Sequence, residues 1–176
     1  MQPMIHTTID LSILSRDLDT VRKELGSAGL YDSAMRDVDV ELVPYNSAEG
    51  FRCWSGNGNI AIPEVAMGVL RELFQRNNLT LQDMLRHCYG HTYAETHREQ
   101  IGSDAFEKAF GDHYYSGIAW SYDPSLHITT YAANGPAEDF AEVFAEYVSR
   151  NGKLPQRLDK GAIRKKWAFI SSLRTE

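Results

Sequence analysis

Apolar residues at Leu11, Leu14, Leu18, Val21 and Leu25 keep the spacing of one helical face, and Gly26 is a natural stop, so a first helix is expected from Ile9 to Leu25. Strand-like runs follow at Val38–Val43, Phe51–Trp54 and Asn59–Ile62, with the Ser-Gly-Asn-Gly segment at 55–58 turning the chain between the last two as in a hairpin. A helix is expected over Glu64–Arg76. Another starts at Thr80, whose side chain can cap it with Asp83 three residues on, and runs through Glu95. The stretch from Gly102 to Asn134 is less regular and rich in Tyr, Ser, His and Gly. Pro136 then opens a helix that Gly152 closes, and a final one from Asp159 to Leu173 places Ile163, Trp167 and Ile170 on one side. Strands come first and helices dominate afterwards, the order of an α+β fold. The length, 176 residues, suits a single domain over 1–176.

Composition narrows the partners. Hydrophobic residues make up 43% and charged residues 24%, ordinary for a globular chain, and the net charge of −6 argues against nucleic acid. A basic stretch from Arg150 to Arg174 contains eight Lys and Arg side chains against the lone acid Asp159, and its simplest reading is a solvated face. No apolar run approaches the ~18 residues of a membrane span. The N-terminal segment has no basic region followed by an apolar one, so a cytoplasmic location is expected, although a mature exported form would look the same. Cys53 and Cys88 do not make a disulfide framework, which agrees with a reducing compartment.

The chemistry concentrates in His87-Cys88-Tyr89-Gly90-His91, inside a predicted helix. Residues four apart share a helical face, so both imidazoles can point at one metal ion. A catalytic zinc site needs a third protein ligand and an open position. His97 reproduces the longer spacing of metzincins, but Ala94 stands where that class needs glycine, and no methionine follows Met84. Glu138 is the better candidate, in the first turn of the Pro136 helix, where the helix dipole favours a carboxylate. Glu142 lies one turn on and can accept a hydrogen bond from a ligand histidine; Asp139 points elsewhere. The aromatic cluster His113, Tyr114, Tyr115, Trp120 and Tyr122 lines a cleft or anchors a loop.

The His87–His91 motif resembles the His-Glu-x-x-His signature of zinc peptidases, with Gly90 as in its common His-Glu-x-Gly-His form. With Tyr131 seven residues before Glu138 and the Glu-x-Phe-Ala-Glu run at 138–142, it resembles the gluzincin metallopeptidases of the anthrax lethal factor catalytic domain and Pro-Pro endopeptidase group. The resemblance implies a zincin-like fold: a small N-terminal sheet, an active-site helix and a mostly helical C-terminal part. It implies zinc held by His87, His91 and Glu138, Glu142 behind a ligand, Tyr131 as oxyanion stabiliser, and a peptide or protein substrate bound along Asn59, Ile60 and Ala61 by β-augmentation. The pattern breaks at Cys88, which occupies the position of the general base. A thiol of ordinary pKa is mostly protonated at neutral pH and shorter in reach than a glutamate, so the chain as written is expected to hold zinc but to be feeble or inactive as an endopeptidase. Either a glutamate has been replaced in an otherwise competent peptidase, a reading that the retained Tyr131 and Glu142 favour, or the chain is a natural zinc-binding pseudoenzyme or peptide-binding module.

Overall fold

A computed structural model describes residues 8–45 and 57–175. Helix α1 (Leu11–Ser27) is capped by the Asp10 carboxylate, which accepts from the Ser12 and Ile13 amides. It buries Leu14, Leu18, Val21 and Leu25, whereas Leu11, in its first turn, stays exposed. A single turn, α2 (Ser33–Arg36), leads to β1 (Val40–Val43). Strand β2 (Ile60–Pro63) pairs with β1 in parallel, Val40 opposite Ile60 and Val43 opposite Pro63. The strand expected over 51–54, with its hairpin turn, lies outside the described residues. Helix α3 (Met67–Leu73) is shorter at both ends than the expected 64–76: Ala66 stays extended and is bridged to Thr8, and Gln75 takes a left-handed conformation just beyond the helix.

Helix α4 (Leu81–Thr96) begins where expected, and Thr80 and Asp83 form the reciprocal capping box. Every residue from Met84 to Ala94 is buried, so α4 is the central element of the core. Arg86 anchors it to α1 through two bonds to the Glu24 carboxylate, at 2.7 and 2.9 Å. A short helix α5 (Arg98–Ile101) follows α4, a second, α6 (Asp104–Phe110), occupies the start of the segment expected to be irregular, and the chain from 111 to 130 is without helix or strand. Helices α7 (Pro136–Ser149) and α8 (Gly161–Ser172) complete the fold. The result is α-rich with one small sheet, within the expected α+β class.

Helices α4 and α7 meet at Gly90. A Cβ there would lie 2.9 Å from the Ala141 Cα and 3.3 Å from its Cβ, a clash with backbone that no rotamer change relieves. Alanine is the better helix former by about 1 kcal/mol, but overpacking a closed interface costs about 1–3 kcal/mol. Gly90→Ala is therefore expected to destabilise the protein in chemical denaturation and to loosen the side chains that α4 and α7 bring together. Unchanged stability would mean that the helices can separate freely.

Among the described residues no helix is long and apolar enough to cross a membrane. The basic C-terminal stretch is largely consumed internally: Arg150 and Arg157 pair with Glu146, Arg164 with Asp159, and Lys166 with Asp139.

Candidate metal centre

His87 and His91 face one way from consecutive turns of α4, and Glu138 meets them from the first turn of α7. Local chemistry sets the position of Glu138. Gly135 adopts φ 150°, and a Cβ there would lie 2.9 Å from the Ile118 carbonyl oxygen. Pro136 then starts the helix with a preset φ and no amide to satisfy.

The three donor atoms converge. His87 Nε2 and His91 Nε2 lie 3.1 Å apart, and Glu138 Oε2 is 3.2 Å from the first and 3.4 Å from the second. Ligands about 2.0–2.1 Å from a tetrahedral metal ion are separated by about 3.3 Å. Glu138 Oε2 is buried and forms no hydrogen bond. An orphaned carboxylate oxygen facing two ring nitrogens is costly in a dry interior unless a cation sits among them. His87, His91 and Glu138 thus form a group that can hold a metal ion.

The outer nitrogens are fixed as ligation requires. His87 Nδ1 is 2.9 Å from Glu142 Oε1; a carboxylate only accepts, so Nδ1 carries the proton and Nε2 is directed at the centre. Thr129 donates to Glu142 Oε2 at 2.7 Å and Arg76 at 3.3 Å, so the buried carboxylate is fully engaged. His91 Nδ1 lies 2.7 Å from the Tyr114 hydroxyl. Burial pushes the His91 pKa down and the Tyr114 phenol well up, leaving both groups neutral. Burial also opposes charge on His87, but the Glu138 and Glu142 carboxylates outweigh it and raise His87 to about 9. Burial likewise opposes charge on Glu138, and the two histidines overcome it, holding its pKa far below the carboxylate range. The charge favoured on His87 offsets part of the negative charge of Glu138 and Glu142.

The remaining expected residues divide. Tyr131 packs its ring 5.7 Å from that of His87 and 4.9 Å from Phe74, and burial, then Glu138, pushes its phenol pKa up. Asn59 precedes β2, Ile60 and Ala61 open it, and the chain just before the strand is tied to α4 by the Thr92 hydroxyl donating to the Gly58 carbonyl at 2.6 Å. His97 is no ligand: it ends α4, stacks on Tyr93 at 3.9 Å and places Nε2 2.7 Å from the Asp32 carboxylate. Asp139 turns to Lys166 rather than to the centre, as expected. Cys88 requires a correction. It is wholly buried in the core and disulfide-bonded, contrary to the reading of both cysteines as unpaired. The chain's other cysteine, Cys53, lies outside the described residues. Tyr114 as the partner of His91, and Thr129 and Arg76 as partners of Glu142, were not anticipated.

Tyr114 can now be separated from Tyr131 by experiment. Groups that orient a metal-ligating histidine are worth about 10–100-fold in affinity. Tyr114→Phe is expected to weaken metal binding by about that factor in a titration, and Tyr131→Phe to leave it unchanged. The opposite ranking would reverse the two roles.

No protein-family model matches the chain, and neither does any curated protein or solved structure.

Proposed function

We propose that this chain is a zinc-binding domain laid out as a gluzincin peptidase site of the lethal-factor-like kind, with peptide hydrolysis disabled at position 88. The observation that carries the reading is the convergence of His87 Nε2, His91 Nε2 and the hydrogen-bond-free Glu138 Oε2 within 3.4 Å of one another. Two imidazoles and one carboxylate suit zinc and leave a coordination position open. A zinc ion bound there supplies Lewis acidity and lowers the pKa of water. The chain's own residues do the rest: Glu138 contributes negative charge, Glu142 holds His87 in its ligating tautomer, Tyr114 engages the outer nitrogen of His91, and Tyr131 offers a neutral phenol beside His87. A general base is missing, because a sulfur held in a disulfide has no proton-accepting thiolate.

A second reading has its own support. The buried disulfide at Cys88 favours a cysteine native to this position over replacement of a glutamate. On that reading zinc braces a peptide-binding module whose occupant pairs along Asn59–Ala61 at the β2 edge.

The test of the metal assignment is zinc titration as a function of pH. One zinc per chain is expected, with a rise in Tm that a chelator reverses. Since His87 in the metal-free protein holds its proton up to about pH 9, zinc must displace it. Apparent affinity should therefore rise about tenfold per pH unit between about pH 6 and 8, and level off near 9. A pH-independent affinity, or no zinc at all, overturns the proposal.

A further inference from the structure

A cleft of about 970 Å³ opens between the end of α6, the 120–127 segment and the start of α8, and none of His87, His91 and Glu138 lines it. We infer that this cleft binds a small aromatic carboxylate, independently of the metal centre.

Its volume is that of a small-molecule site, typically about 300–1,000 Å³. Its apolar surface is flat and aromatic. The Trp120 ring stacks on that of His127 at 5.7 Å with 27° between planes, and Tyr122 lies 6.4 Å from the same imidazole. Backbone geometry holds Trp120 in place through its amide, which donates to the Ala133 carbonyl at 2.8 Å. His127 is buried, and burial followed by the nearby Lys166 charge pushes its pKa down, so the stack presents a neutral ring. Tyr122 and Leu126, each 45% exposed, leave apolar surface open at the mouth.

Charge selects the sign of the ligand. Lys108 and Lys165 line the cleft, and among the described residues neither has an ion-pair partner. The third lysine, Lys166, forms part of the wall, already neutralised by Asp139 and bonded to the Leu126 carbonyl. The acid of the lining, Asp123, accepts from the Ser125 amide at 2.7 Å and stays ionised, so one negative charge faces the two lysines and the lining remains net positive. Two uncommitted ammonium groups beside an aromatic stack, on a chain of net charge −6, fit a ring bearing one anionic group.

The experiment is calorimetric titration of the full chain with indole-3-acetate, 2-naphthoate and 4-biphenylcarboxylate, in the presence of EDTA so that carboxylate binding to a metal cannot contribute. Saturable binding of at least one probe is expected. The exposed-lysine double variant Lys108→Glu/Lys165→Glu should keep its Tm and bind about tenfold more weakly, the sum of two partly screened ion pairs. Trp120→Ala should abolish binding, and indole-3-acetamide should bind about tenfold more weakly than the acid. No saturable binding of any probe, binding that EDTA removes, acetamide binding as tight as acetate binding, or indifference to the lysine reversals would each overturn the inference. Because the titration is done without metal, its failure leaves the zinc proposal standing, and the reverse holds as well.

Discussion

Glu138→Ala is expected to reduce metal affinity by about 10²–10³-fold, and His87→Ala and His91→Ala by similar factors. Structural zinc contributes about 10–16 kcal/mol through four ligands, so about 2.5–4 kcal/mol falls to each, close to the stated range. Stability of the metal-free protein should move differently among the three. Removing Glu138 takes away one of the carboxylates that hold His87 protonated. His87 in the folded protein lies above the ordinary histidine value, so its contribution to metal-free stability is complete below about pH 6.5 and fades as pH rises towards 9. With Glu142 still in contact with His87, the variant should keep a weaker form of that pH dependence while it loses the metal. Metal binding that survives Glu138→Ala but not His97→Ala would return the ligand set to the one that Ala94 and the Asp32 contact of His97 argue against.

Cys88→Glu carries the second large effect. A carboxylate at 88 restores the one proton acceptor that the proposed site lacks, and general acid–base catalysis is typically worth about 10²–10⁴-fold. The substitution also removes a disulfide, worth about 2–5 kcal/mol, and puts a carboxylate where the side chain is wholly buried. Cys88→Ala is therefore the proper reference, since it loses the same link without gaining a base. With zinc, Cys88→Glu is expected to cleave members of a broad peptide library about 10²–10⁴-fold faster than Cys88→Ala, with a chelator abolishing the difference. If Cys88→Glu binds zinc, keeps its fold and cuts nothing, the binding-module reading replaces the peptidase one.

What the sequence disclosed was what local chemistry decides. Thr80 and Asp83 mark the start of α4, Pro136 marks that of α7, and the four-residue interval between His87 and His91 puts both rings on one face. The placement of Glu138 and Glu142 was legible for the same reason, because a single helix presents both to one neighbour. Gly90 read as part of a motif; its physical role, admitting Ala141 against the α4 backbone, needed the packing of two helices that brings together residues 51 positions apart in sequence. Helices α5 and α6 escaped notice because they are 4 and 7 residues long, too short to build a periodic signal, although Ser103 caps the second. The Tyr114 bond to His91 spans 23 residues that include α5 and α6, and nothing local announces it. The disulfide at Cys88 escaped for a related reason: neighbouring residues tell how a cysteine is surrounded in sequence, but not what approaches it in space.

X-ray absorption at the zinc edge of the loaded, unreduced protein tests the central claim most directly, since it counts the atoms around the ion without any turnover. Two imidazoles with one or two oxygens at about 2.0–2.1 Å, and no sulfur, are expected from His87, His91 and Glu138. A sulfur shell at about 2.3 Å, or a protein that retains no zinc after gel filtration, would contradict it.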